Sequence, residues 1–152
     1  MKKILFLSLV AGLLYACKKD NIGTKPILTF SRYSQPSLDS GTQQFDVVFN
    51  VRDGDGDIEN VIAWKIHYIQ TPPTPPADTF TYSTMPNIGQ NKGNSVKAEV
   101  SINMQTISFN LWNPDKGAKP DSLWYTAFIL DNAGHSSDTI VTPKIPIFKS
   151  KS

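Results

Sequence analysis

Residues 45–51 read Phe45-Asp46-Val47-Val48-Phe49-Asn50-Val51, and their alternation decides the fold class. Phe45, Val47, Phe49 and Val51 share one face, while Asp46 and Asn50 take the other. Successive side chains of a strand point to opposite faces, so this run is a strand with one buried side and one wet side. The pattern recurs outward from it. Ile62, Trp64, Ile66 and Tyr68 oppose Lys65 and His67, and Val96, Ala98, Val100 and Ile102 alternate with Lys97, Glu99, Ser101 and Asn103. Ile107, Phe109 and Leu111 alternate with Ser108 and Asn110, and Ile27 to Tyr33 is a further strand upstream. Leu123 to Leu130 is apolar at nearly every position, as a central strand is. Phe80 and Tyr82 mark a short edge strand. Thr139 to Phe148 closes the series, and Pro143 and Pro146 confine it to a sheet edge because proline has no N–H for a ladder. About seven strands with turn signals between them, and no convincing helix, predict an all-β antiparallel sandwich.

Composition agrees with that reading and narrows the function classes. The chain is rich in Thr, Ser, Asn, Pro and aromatics and poor in Glu, Leu and Ala, which favours strands over helices. Lys2 and Lys3 account for the whole formal charge of +2, and without them the basic residues equal the 13 acidic ones. No basic face or stripe remains to bind nucleic acid.

The run Asp121-Ser122-Leu123-Trp124-Tyr125-Thr126-Ala127 resembles the start of strand F in immunoglobulin-like domains, over roughly residues 25–148. The resemblance implies an Ig-like sandwich in which Tyr125 is a tyrosine corner, its hydroxyl bonding back to nearby backbone, and Trp64 is the core tryptophan of strand C. Ala127 stands where antibody domains carry a cysteine, so the inter-sheet disulfide is absent. Asp131-Asn132-Ala133-Gly134-His135 is then similar to the F–G turn of bacterial Ig-like and fibronectin-like domains. Between strands, Thr71-Pro72-Pro73-Thr74-Pro75-Pro76 opens a long insertion reaching Asn94, in which the prolines prefer polyproline II and cannot join a ladder.

The most chemical stretch is Arg52-Asp53-Gly54-Asp55-Gly56-Asp57-Ile58-Glu59. Aspartates at alternate positions with glycines between them can converge their carboxylates on one point. Two such charges about 4 Å apart repel by roughly 4 kcal/mol at an effective dielectric of 20. A hard cation removes that repulsion, and calcium accepts six to eight oxygens in flexible geometry. An EF-hand does not fit. Counting from Asp53, Ile58 stands where that loop needs glycine, and Trp64 where it needs a bidentate glutamate. In the sandwich reading this stretch is the B–C loop, which shares an end of the domain with the F–G loop. Asp131 therefore joins Asp53, Asp55 and Asp57 in an expected structural calcium site. The competing reading of the same residues is a solvated Asp-Gly turn.

The amino terminus speaks to location. Met1-Lys2-Lys3 and the apolar run Ile4 to Leu14 have the charge order and length of a signal peptide, too short to span a bilayer core of about 20 apolar residues. Leu14-Tyr15-Ala16-Cys17 resembles the lipobox of bacterial lipoproteins, with Tyr15 slightly unusual for it. Cys17 is the single cysteine, so no intrachain disulfide can form. The resemblance implies cleavage after residue 16, acyl chains on Cys17, a tether over residues 17–24 and a domain over 25–149. Each buried methylene of such an anchor adds about 0.8 kcal/mol. Lys18-Lys19-Asp20-Asn21 is similar to short charged tags that direct lipoproteins to the outer membrane surface, and the competing reading of it is a plain solvated tether. The expected location is the cell envelope, at the outer membrane.

Catalysis is not expected. Only His67 and His135 are available, no G-x-S-x-G elbow is present, and no glycine loop cradles a phosphate. Asp121-Ser122-Leu123 and Asp138-Thr139-Ile140 resemble bacterial O-glycosylation sequons, which makes Ser122 and Thr139 candidate acceptors. Trp112, ahead of Asn113-Pro114, is the tryptophan best placed for exposure and a candidate ligand contact, with Trp124, Phe80 and Tyr82 as companions on a sugar-stacking platform. The expected role is a calcium-stabilised, non-catalytic binding module for a glycan or an envelope protein. The alternative is a structural subunit of an envelope complex.

Overall fold

A computed structural model describes residues 23–39, 41–69, 78–86, 93–105 and 122–148. Cys17, the expected strand from Ile107 to Leu111, Trp112 and the proline run 71–76 lie outside the described residues. Eight strands follow in order: β1 (Ile27–Tyr33), β2 (Gln44–Asp53), β3 (Val61–Tyr68), β4 (Thr81–Thr84), β5 (Val96–Gln105), β6 (Ser122–Leu130), β7 (Ile140–Val141) and β8 (Ile145–Pro146). They form two antiparallel sheets. One has the order β1-β2-β5; the other runs β4-β3-β6-β7, with β8 also paired to β6. This is an antiparallel β-sandwich with an Ig-like strand order, β1, β2 and β5 in one sheet and β3, β4, β6, β7 and β8 in the other.

Burial follows the alternation that the sequence displays. Phe45, Val47, Phe49 and Val51 of β2 are buried against Ile62, Ile66, Leu123, Tyr125 and Ile129 of the facing sheet. Completely burying a side chain of this size is worth about 1.5–3 kcal/mol. The β2–β5 register holds without a shift from Gln44↔Gln105 to Asp53↔Val96, so every inward residue of one strand meets an inward residue of the other. A slip of one position would turn all of them to water.

The ends of the chain stitch the layers. Register shifts between Phe30 and Arg32, a bulge that leaves Ser31 extra in β1. Beyond β1 the chain crosses to the other sheet. There Leu38 N–H donates to the Pro146 carbonyl at 2.9 Å and the Leu38 carbonyl accepts from Phe148 N–H at 2.7 Å. The expected continuous last strand is instead two short pieces, β7 and β8. Pro143 is the physical reason: it cannot donate to the ladder, and its carbonyl turns to accept from the Tyr33 hydroxyl at 2.6 Å. Thr142 beside it turns inward and is buried.

Trp64 does not fill the middle of the core. It is half-buried and packs at the margin, edge-on to Tyr125 with ring centroids 6.1 Å apart. Tyr125 is central and completely enclosed, but its hydroxyl has no hydrogen-bond partner among the described residues. The backbone preceding Ser122, to which a tyrosine corner would bond, lies outside them.

Candidate metal centre

Asp53 is the last residue of β2, and Asp131 directly follows β6. Because β3 pairs with β6 as Val61↔Leu130, the loop leading into β3 and the turn leaving β6 emerge side by side. Each is folded by its own local bonds. Asp53 Oδ2 accepts from the N–H groups of Gly56 at 2.8 Å and Asp57 at 3.0 Å. Gly56 permits that curl by adopting a positive φ of 72°, where a side chain would be strained. Ile58, buried in the core, pins the loop from beneath. Across the gap, Asp131 Oδ1 accepts from the His135 backbone N–H at 2.7 Å, and Gly134 closes the turn with φ 90°.

The two loops are then tied together. Asn132 N–H donates to the Asp57 carbonyl at 2.8 Å, and Asn60 Nδ2 donates to the Asp131 carbonyl at 2.9 Å. Gly93 N–H, just ahead of β5, donates to the Asp55 carbonyl at 2.6 Å. The outcome is convergence: one carboxylate oxygen from each of Asp53, Asp57 and Asp131 lies within 4.8 Å of the other two. That span suits oxygens sharing one calcium at 2.3–2.6 Å. Asp55, the fourth expected ligand, is outside this trio, but its carboxyl lies against both Asp53 and Asp57.

The electrostatics of the cluster are unfavourable without a cation. Burial raises the Asp53 carboxyl above the usual carboxylate range and the neighbouring Asp55 adds to it, while the two N–H donors offset part of the rise. Asp57 is raised by burial first, then by the charges of Asp131 and Asp55. Asp53 and Asp131 are completely buried, and Oδ1 of Asp53, of Asp55 and of Asp57 is enclosed with no hydrogen-bond partner among the described residues. A buried acceptor left unmade costs about 1–3 kcal/mol, more when charged. An oxygen-only donor set suits a hard divalent ion and not zinc or copper.

Other expected residues are placed less favourably. Ser122 is 7 % exposed, its hydroxyl enclosed within β6, opposite Pro146 of β8. Thr139 is exposed ahead of β7. His135 Nδ1 lies 2.9 Å from Asp131 Oδ2, while the Ser136 hydroxyl donates to the Ser137 carbonyl. Among the described residues, no hydroxyl hydrogen-bonds the His135 ring.

The outer faces of the two sheets contrast, and Phe128 and His67 join the expected aromatic group of Trp124, Phe80 and Tyr82. On the β1-β2-β5 sheet Asp46, Asn50, Lys97, Glu99, Ser101 and Asn103 face outward. On the other sheet Phe80, Tyr82 and Phe128 cluster, and Trp124 stacks on His67 at 5.4 Å with Lys144 Nζ 4.9 Å from its ring centroid. The available signal was Phe128 alternating with Trp124 on the non-core side of an all-apolar strand. Comparison with protein-family models, with curated proteins and with solved structures gave no match.

Proposed function

We propose that this chain is a cell-envelope lipoprotein, held to the outer membrane through lipid on Cys17, whose sandwich is a non-catalytic, calcium-stabilised binding module for a glycan or an envelope protein. The observation that carries the reading is the convergence of Asp53, Asp57 and Asp131 from two loops at one end of the sandwich. One ion there adds a further link between two loops already tied by the Asn132 and Asn60 hydrogen bonds. The anchor rests on Leu14-Tyr15-Ala16-Cys17 and on Cys17 being the single cysteine. Calcium at about 100 times its dissociation constant stabilises by about 2.7 kcal/mol, so melting should rise on the order of 10 °C over protein in chelator. Asp53→Asn should abolish the rise; an equal rise in that variant refutes the site. Cys17→Ser should move the protein from the membrane fraction to the soluble one.

A structural subunit is the second reading, and the aromatic outer face of the β4-β3-β6 sheet favours it. Tyr82 is 62 % and Val141 63 % exposed there. A stoichiometric partner recovered by crosslinking in the native membrane would support this reading over the first.

A further inference from the structure

The β1-β2-β5 sheet carries a shallow groove of about 410 Å³, lined by Thr29, Asn50, Arg52, Lys97 and Glu99 among others. We propose that this groove binds an acidic sugar, its carboxylate on Arg52 and Lys97 and its hydroxyls over Asn50 and Glu99. The proposal rests on the glycan reading above and names the class of ligand.

Strand register builds the groove. Arg52 stands directly opposite Lys97 across β2 and β5, and Asn50 stands opposite both Glu99 and Thr29. Side chains two positions apart on a strand share a face, so these two rows run side by side about 6.6 Å apart. Thr29, Asn50, Lys97 and Glu99 are exposed, and Arg52 is half-buried. Asp53, next to Arg52, is completely buried and does not line the groove.

The first row is cationic. Like charges directly opposite one another destabilise a sheet, and here Arg52 and Lys97 are so placed. Lys97 forms no ion pair among the described residues. Glu99 does not offset the pair, because Arg32 holds its two oxygens at 2.6 and 3.1 Å. An anion between Arg52 and Lys97 relieves their opposition. A carboxylate suits both, since a guanidinium presents five donors in a fixed fork and an ammonium adds a point charge.

The second row selects what surrounds that carboxylate. Glu99 only accepts hydrogen bonds, and Arg32 leaves it about two of its four lone-pair sites. Asn50 both donates and accepts. Hydroxyl groups serve both residues, whereas a second carboxylate over Glu99 meets repulsion. An acidic peptide brings that second charge, and a neutral sugar leaves the cationic row unserved. One carboxylate with hydroxyls a ring's width away is the pattern of a uronic acid.

Amide chemical shifts of the isotope-labelled mature protein in detergent micelles, titrated with glucuronate, glucose or a triglutamate peptide, test this. Glucuronate should give saturable shifts centred on Thr29, Asn50, Lys97 and Glu99, and should bind about tenfold tighter than glucose. Lys97→Gln, checked for folding by circular dichroism, should weaken glucuronate about tenfold. Lys144→Gln, on the other sheet beside Trp124, should leave it unchanged. Glucose binding as tightly as glucuronate overturns the acidic selection and leaves the glycan reading standing. Tighter binding of triglutamate overturns the sugar in favour of an acidic protein partner. Shifts centred elsewhere, or full affinity in Lys97→Gln, overturn the groove as the site. Absence of any saturable response to glucuronate overturns the proposal, and silence on a broad glycan array overturns the glycan reading with it.

Discussion

The backbone N–H of Asn132 donates to the carbonyl of Asp57 at 2.8 Å, joining the turn after β6 to the loop before β3 through main-chain atoms alone. Asn60 Nδ2 to the Asp131 carbonyl repeats the tie at 2.9 Å. Both bonds use groups that no carboxylate needs. The loops therefore keep their mutual position without an ion, and the carboxylates are held together by a frame that tolerates their repulsion. Ordering entropy is largely spent before a cation arrives, which favours binding.

Removing one charge should then have opposite effects in two buffers. Asp57 faces both Asp131 and Asp55. In chelator, Asp57→Asn relieves that repulsion and should stabilise the fold by on the order of 1 kcal/mol after solvent screening, raising the melting temperature. In calcium the same variant loses a ligand and should melt below the parent. Scanning calorimetry of both proteins in both buffers reads the crossing; a variant that melts lower in each buffer would show that the cluster is not strained.

Metal-free protein should also respond to acid in an unusual direction. Asp53 and Asp57 have folded pKa values raised above the ordinary 3.8. Raised values mean the folded state holds protons more tightly, so their contribution is complete below the unfolded value and is lost as pH rises through the folded one. In chelator, the difference in melting temperature between parent and Asp57→Asn should shrink as pH falls from about 7 toward about 4. A gap that widens on acidification would contradict the assignment.

What the sequence disclosed and what it hid have one cause. The strands with one wet face, β2 and β5, are legible because Asp46, Asn50, Lys97 and Glu99 punctuate them at period two. In β6 the signal fails, since Trp124, Thr126 and Phe128 on the outer side are nearly as apolar as Leu123, Tyr125 and Ala127 on the inner one. Ser122 could not be seen as buried, because its enclosure comes from pairing with Pro146, far away in the chain. The acidic loop was legible as chemistry, and its partner Asp131 through strand order. Asp55 standing apart from the trio was not, because that depends on the curl set by Gly56. The break at Pro143 needs knowledge of Tyr33.

Alkaline unfolding should begin where free tyrosine titrates. Burial pushes Tyr33 and Tyr68 up to about 12, against the Thr142 bond that lowers Tyr33, and Tyr125 is raised well above 10 by burial. Their neutral forms stabilise the folded state fully below pH 10, and that contribution is lost as pH rises toward 12. Tyrosinate absorbance from these side chains should appear together with loss of the near-ultraviolet dichroism. Complete titration near pH 10 with the dichroism intact would contradict their burial.

Thr142 should be the most costly polar residue to remove away from the acidic cluster. Its Oγ1 accepts from the buried Tyr125 N–H at 2.8 Å and lies 2.6 Å from the Tyr33 hydroxyl. That hydroxyl has one hydrogen and gives it to the Pro143 carbonyl at 2.6 Å, so Thr142 must be the donor to Tyr33. The relay thus runs from β6 through Thr142 to β1, joining the two sheets. Thr142→Val keeps the volume but orphans the Tyr125 N–H, at about 2 kcal/mol or roughly 6–12 °C in melting temperature. Tyr33→Phe leaves that N–H paired and frees the Thr142 hydroxyl to rotate, so it should cost about half as much. Chemical denaturation of both variants decides the order. If Tyr33→Phe proves the more damaging, the relay is not anchored at Tyr125 and the sheets are joined by ring packing instead.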